Sequence, residues 1–160
     1  MHDAGPSRRT VLAGLGALAL GLGAAACDSG GGSGPGPDQR KADDQARVRA
    51  RAAAVALLDR YDAVIAAYPA LAGRLRPYSD EVGRHLAALG GTRPTVPPSA
   101  PPEPVPATEQ AAVADLAARE QRAADDRIAD LPAVGPQLAR TIASISASQT
   151  VHARSLGSPS

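Results

Sequence analysis

The residues best suited to chemistry in this chain are a few polar side chains that interrupt the apolar stripes of predicted helices. Carboxylates and imidazoles dominate the set, and these are the groups that bind metals and transfer protons in proteins. Two of the 3 histidines of the chain belong to it. The candidate residues are Asp62, Glu81, His85, Glu120, Gln149 and His152.

Two interpretations of these polar residues stay open. In the first, Asp62, Glu81, His85, Glu120 and His152 converge inside the protein and hold a divalent metal or a di-iron pair. In the second, they are hydrogen-bonded groups that fix the register of the helices, some of them at the wet edge of the core. We favour the second interpretation, without a cofactor and without a catalytic residue. The sequence contains no Gly-rich phosphate loop, no Ser/His/Asp order and no Cys/His metal spacing.

Cys27 is the only cysteine, so its sulfur forms no disulfide within the chain. It follows Ala24-Ala25-Ala26, a stretch that resembles the lipobox, in which the cysteine sulfur receives a diacylglycerol and the cysteine becomes the new N-terminus. The resemblance implies attachment to the membrane through acyl chains such as palmitate, and contact with the lipoprotein-processing machinery. The alternative is a secreted protein with a free thiol at Cys27.

Residues 1–26 have the layout of an export signal. Arg8 and Arg9 precede Thr-Val-Leu, and the apolar stretch that follows is rich in Gly and Ala, which resembles the twin-arginine export signal. As a helix, residues 11–26 would extend only about 24 Å, short of the ~30 Å hydrocarbon core, which argues against a transmembrane helix. We therefore expect export to the outer face of the cell membrane.

The charge balance excludes nucleic acid as a partner. The chain has 17 Lys and Arg against 16 Asp and Glu, and removal of residues 1–26 leaves 15 of each. A nucleic-acid binder needs a basic surface to displace counterions, and a neutral mature chain lacks one.

The composition predicts that the candidate residues lie on helices. Ala, Leu and Arg, which are strong helix formers, are abundant, and the aromatics are limited to 3 tyrosines. After a Gly/Ser/Pro-rich tether at 27–37, we expect an all-α domain of four helices at 38–157 and a tail at 158–160. The expected bounds are Asp38, as N-cap, to Tyr68; Pro69 to the Gly90-Gly91 pair; Thr108, as N-cap, to Pro132; and Gly135-Pro136 to Leu156, before the last four residues.

Apolar residues spaced by threes and fours predict one buried stripe on each helix. Pro77 lies inside the second helix and should kink it. The expected stripes are Val48, Ala52, Val55, Leu58, Ile65 and Tyr68, with Asp62 among them; Leu71, Leu75, Tyr78, Val82, His85 and Leu89; Val113, Leu116, Glu120, Ala124, Ile128 and Leu131; and Leu138, Ile142, Ile145, Gln149, His152 and Leu156.

The connection between the second and third helices, residues 92–107, contains seven prolines and is predicted to be neither helix nor strand. At ~3.1 Å per residue in polyproline geometry it reaches about 50 Å, enough for a crossover along a ~30 Å helix. Short connections on either side of a long one predict a four-helix bundle with ferritin-like, up-down-down-up topology. Two alternatives stay open, namely two helical hairpins in slight contact and a Pro-rich ligand for an envelope protein partner.

Residues 39–157 resemble the ferritin-like superfamily, and in particular the small ferritin-like lipoproteins of unknown function in actinobacteria. Di-iron members take one Glu from each of two helices and a Glu-x-x-His from the other two. By this resemblance Glu120 and Asp62 match the two lone carboxylates, although Asp62 is one methylene shorter.

The other two positions of the pattern depart further from it. Gln149 precedes His152 by the right spacing but carries an amide in place of the carboxylate, and Glu81 precedes His85 by one residue too many. The sequence thus predicts a membrane-anchored binding or structural module rather than an enzyme, with metal binding as the alternative.

Overall fold

The computed structural model describes residue 34, residues 36–95 and residues 103–158. The predictions for the leader with Arg8 and Arg9, for Cys27 and for most of the tether lie outside the described residues. Within them there is no strand, and the prediction of an all-helical chain with four helices is confirmed. The helices are α1 (Pro37–Ala67), α2 (Ala72–Ala88), α3 (Glu109–Asp130) and α4 (Pro136–Gly157).

The predicted N-cap of α3 is confirmed, and that of α1 is wrong. The Thr108 hydroxyl accepts a hydrogen bond from the Ala111 amide at 3.2 Å, which satisfies one of the free N–H groups of the first turn. Asp38 instead lies inside α1, because Pro37 already occupies the first helical position and Gly36 precedes it as N-cap without a side-chain bond.

The predicted end of α2 at a glycine pair is confirmed by its backbone. Gly90 has a φ of 72°, a left-handed conformation that favours glycine. Its N–H donates to the Ala87 carbonyl at 2.8 Å, and that of Gly91 donates to the Leu86 carbonyl at 2.9 Å. These two bonds form a Schellman motif, which satisfies carbonyls of the last helical turn.

Prolines form single 3-10 turns next to two of the helices. One turn, Pro69–Leu71, precedes α2, so that this helix begins at Ala72 rather than at Pro69. The other, Leu131–Ala133, follows α3 and contains Pro132. Pro77 lies inside α2, as expected.

The predicted stripes hold for α2 and α4 but are partly wrong for α1 and α3. Val48 and Ile128 are 63% and 53% exposed. The buried face of α1 is built around small residues that let helices approach closely, a signal that the larger Val and Ile side chains obscured. The buried residues of α1 are Ala46, Ala50, Ala54, Leu57, Leu58, Arg60, Tyr61 and Val64.

Arginine side chains connect α1 to its neighbours along its length, through two salt bridges and a hydrogen bond to the backbone. Arg49 pairs with Asp130 at 2.6 Å, and Arg60 pairs with Asp115 at 2.6 Å. Arg51 Nε donates to the Leu89 carbonyl at 2.7 Å. These contacts hold α1 against the ends of both α2 and α3.

The described end of the Pro-rich connection lies against α1. Arg60 Nη1 donates to the carbonyls of Glu103 and Pro104 at 3.0 and 3.1 Å, and the Tyr68 hydroxyl donates to the Pro106 carbonyl at 2.6 Å. In the part of the chain that the structure describes, no helix combines the length and the apolar character that crossing a bilayer requires.

Candidate functional site

One side chain from each helix meets at a buried polar cluster, Tyr61, Glu81, Glu120 and His152. Glu120 on α3 is at its centre and is 0% exposed. Its Oε1 accepts a hydrogen bond from the Tyr61 hydroxyl at 2.8 Å and lies 3.1 Å from Nδ1 of His152. A single carboxylate oxygen therefore joins α1, α3 and α4.

The other nitrogen of His152 faces α2. Its Nε2 lies 3.4 Å from Oε2 of Glu81, so the imidazole stands between two carboxylates. Both ring nitrogens are donors only in the protonated ring. Burial by itself lowers the pKa of His152, but the hydrogen bonds and charges of Glu120 and Glu81 outweigh it and raise that pKa above its ordinary value. The arrangement therefore favours an imidazolium.

Ser148 completes the contact between α4 and α2. Its hydroxyl donates to Oε1 of Glu81 at 2.5 Å, and this hydrogen bond is the main cause of the lowered pKa of Glu81, with His152 and His85 adding to it. The Glu81 carboxyl, with a side chain 37% exposed, forms the solvent-facing end of the cluster.

Ser148, His152 and Glu120 stand in the order of a nucleophile, a base and an orienting acid, since Ser148 Oγ lies 3.5 Å from His152 Nε2. The hydroxyl proton, however, points to Glu81. The two carboxylates raise the pKa of His152 and so favour the imidazolium, which has no lone pair on either nitrogen to accept a proton from serine. The geometry is therefore that of a polar tie between helices and not of an activated nucleophile.

His85 lies beside this cluster, and its pKa is shifted in the opposite direction to that of His152. Its ring stacks on that of His152 with centroids 6.3 Å apart, and its Nε2 is 3.7 Å from Oε1 of Glu81. Burial is the main cause that lowers the pKa of His85, so its surroundings favour the neutral imidazole, whereas those of His152 favour the imidazolium. Its Nδ1 has no hydrogen-bond partner among the described residues.

Tyr61 of the cluster and the adjacent Tyr78 contribute a hydrogen bond and a ring contact, respectively. Burial, followed by the charge of Glu120, raises the pKa of Tyr61 far above its ordinary value, so that its phenol stays a neutral donor. Tyr78 packs edge-on against His152 with ring centroids 5.0 Å apart.

A second buried polar pair, Arg127 and Gln149, lies in the same core. Arg127 is 2% exposed, and its Nη1 donates to Oε1 of Gln149 at 2.6 Å and to the Ala123 carbonyl at 2.8 Å. Its Nη2 crosses to α1 and donates to the Ala50 carbonyl at 3.2 Å. The amide at position 149 is thus the acceptor of a buried guanidinium.

The structure brings together four of the five residues predicted for a metal site, Glu81, His85, Glu120 and His152. Asp62 does not join them. Its side chain is 57% exposed and pairs with Arg93 at 2.7 Å, so its predicted place in the buried stripe of α1 is wrong. The buried position belongs to Tyr61, one residue earlier.

The donor arrangement bears on the metal interpretation. Within the described ranges, no group of three or more His, Cys, Asp or Glu side chains is positioned to hold a metal ion. Both nitrogens of His152 face carboxylates, so a metal at this place would have to displace protons from the imidazole.

Three residues of these clusters were missed from the sequence, Tyr61, Ser148 and Arg127. Arg127 had a usable signal, because it lies seven residues after Glu120 and so shares its stripe on α3. Tyr61 likewise lies seven residues after Ala54, so both lie on one face of α1. The predicted stripe with Val48 followed a different face. Ser148 has no such signal, since a half-buried serine on a helix is common.

No family model matches this chain, and neither the curated proteins nor the solved structures contain a match.

Proposed function

We propose that this protein is an exported lipoprotein, attached to the outer face of the cell membrane through acyl chains on Cys27. Its helical domain is a non-catalytic binding or structural module of the cell envelope. The leader with Arg8 and Arg9 and the lipobox-like residues before Cys27 support the location. The observation that carries the module is Glu120, a fully buried carboxylate whose Oε1 contacts Tyr61 and His152.

We also propose the ferritin-like, up-down-down-up arrangement for the domain. Its support comes from the order of contacts along α1: Arg49 and Arg60 pair with the end and the beginning of α3, and Arg51 meets the end of α2. This order fits α2 and α3 both running opposite to α1. The connection from Gly90 to Thr108 then returns along the bundle.

The location is tested by mass spectrometry of the protein isolated from its own cells. We expect a mature chain that begins at a diacylated Cys27. A Cys27→Ser variant should carry no acyl chains. An Arg8→Lys, Arg9→Lys variant should accumulate as uncleaved precursor. An unmodified thiol at Cys27, or an intact leader, would refute the anchored protein.

Metal binding by Glu81, His85, Glu120 and His152 is the second candidate function. The observation in its favour is that Oε2 of Glu120 and Nδ1 of His85 are buried without hydrogen-bond partners in the described part of the chain. Elemental analysis of the purified full-length chain separates the two functions. A stoichiometric metal content that is lost in a His85→Ala, His152→Ala variant would support metal binding over the non-catalytic module. A metal content well below stoichiometry in the unchanged chain would refute metal binding.

A further inference from the structure

A cleft between α1 and α3 lies apart from the Glu120 cluster. Its volume is about 380 Å³, within the ~300–1,000 Å³ range of small-molecule sites. Ala50, Ala53 and Ala123 line it with methyl groups. These walls accept a compact apolar group and offer no side-chain hydrogen bond of their own, so any polar recognition must come from the charged residues.

Arg127 lines the same cleft and carries a buried positive charge. Its hydrogen bonds go to the Gln149 amide and to two backbone carbonyls, and no carboxylate among the described residues pairs with it. Its Nε–H is buried without an acceptor among the described residues. The charges of Glu120, Asp126 and Asp130 act on Arg127 without making a salt bridge to it, and they do not outweigh its burial, which lowers its pKa. A buried donor without an acceptor is costly, so this donor beside a cleft points to a ligand that supplies the acceptor.

The charged residues at the cleft decide which kind of ligand fits. Two guanidinium groups, of Arg49 and Arg127, and two carboxylates, of Asp126 and Asp130, line it. Arg49 and Asp130 pair with each other at 2.6 Å, whereas Arg127 and Asp126 make no salt bridge with any residue that the structure describes. A simple anion would be repelled by Asp126 and a simple cation by Arg127, whereas a ligand with both charges is complementary to the pair.

We propose that the α1/α3 cleft binds a small zwitterion, an α-amino acid with a compact apolar side chain. Arg127 binds the carboxylate, Asp126 binds the ammonium group, and the alanine walls contact the side chain. This proposal is independent of the lipid anchor, because the anchor is tested at Cys27 and the cleft is tested by ligand binding.

Isothermal titration calorimetry on the full-length chain, purified in detergent, tests the proposal with L-alanine, L-valine and L-leucine. We expect saturable one-to-one binding of at least one of them. For L-valine the matched probes are L-valinamide, which lacks the carboxylate, and isovalerate, which lacks the ammonium group. Each should bind about tenfold more weakly or worse, since each leaves one charge of the site unpaired.

Two variants with matched controls complete the test. Ala53→Phe fills the cleft, and Ala52→Phe makes the same change on the exposed face of α1 outside it. Asp126→Asn removes the exposed carboxylate without touching the core, and Asp125→Asn is its control. Binding should fall about tenfold or more in Ala53→Phe and Asp126→Asn and stay unchanged in the controls.

Any one of three results would refute amino-acid binding at the α1/α3 cleft. The first is that none of the three amino acids binds. The second is that isovalerate binds as tightly as L-valine, and the third is that Asp126→Asn binds like the unchanged chain. Circular dichroism of every variant checks that its helices are retained, and the exposed Asp126→Asn change keeps the test valid if Ala53→Phe unfolds.

Discussion

Replacement of His152 by Phe tests whether the Glu120 cluster is a structural tie. The change keeps an aromatic ring against Tyr78 but removes the imidazolium that compensates Glu120, a carboxylate that is 0% exposed. Removing one partner of a buried ion pair leaves an uncompensated charge and costs about 3–5 kcal/mol. We expect a loss of that size in the free energy of unfolding, measured at pH 6 by urea denaturation with circular dichroism.

His85→Phe is the matched control for this loss. The same substitution is made on the ring beside the cluster, where burial lowers the pKa of His85 and so favours the neutral imidazole. Its removal therefore uncovers no buried charge, and we expect a loss of only about 1 kcal/mol, typical of a point mutation.

A double-mutant cycle isolates the charge. Glu120→Gln keeps an acceptor for Tyr61 but carries no charge, so the Glu120→Gln, His152→Phe variant should be more stable than His152→Phe alone by about 2 kcal/mol. Two results would contradict this ion pair. One is that the losses in free energy of unfolding of the two single variants simply add, and the other is that His152→Phe costs no more than His85→Phe. In either case His152 and Glu120 do not hold the helices together.

Three further predictions concern the same core and its edge. Tyr61→Phe removes a 2.8 Å hydrogen bond to a charged acceptor and should lower the free energy of unfolding by about 2 kcal/mol, measured in urea; a loss below about 0.5 kcal/mol would mean that Glu120 does not need this donor. The pKa of His152 in the folded chain lies above its ordinary value of 6.5, so its contribution is complete below pH 6.5 and is lost as the pH rises through the folded pKa. The contribution of His85 to stability changes with pH in the opposite direction, because its folded pKa is lowered. A His85→Phe variant lacks this opposing contribution, so its urea midpoint should fall from pH 6 to pH 9. A flat profile would contradict an imidazolium at His152. Gly90→Ala places a side chain at a φ of 72° and should cost about 1 kcal/mol in thermal unfolding; an unchanged midpoint would count against the Schellman turn.

The helices could be predicted from the sequence because their signals are local. Thr108 as a cap and Gly90 after the last turn of α2 act within four residues of the helix end, and the structure has both where they were expected. The buried face of α1 could not be read in this way, since it depends on which neighbours pack against it. In an Ala-rich helix the apolar pattern is nearly uniform, so several faces of α1 fit the helix period, and Val48 of the predicted stripe is exposed.

The candidate site could be predicted in part for the same reason. Glu120 and His152 interrupt long apolar stripes, so their burial follows from the helix period alone. Asp62 and Tyr61 are neighbours, and a rotation of α1 by one residue decides which of them faces the core. The partner of Gln149 also depends on tertiary structure, because Arg127 reaches it from another helix.

The polar cluster has a physical reason in a core of this composition. Alanine and leucine side chains pack against one another in several registers with similar energy, so an Ala-rich bundle buries enough apolar surface to associate but specifies its alignment poorly. The Glu120 carboxylate must meet a donor from α1 and another from α4 within hydrogen-bond distance. A slip of one helical turn, about 5.4 Å, would bury it without either partner, at several kcal/mol. The cluster therefore destabilises every wrong register more than it stabilises the right one, and this specificity is what an alanine-rich core does not provide by itself.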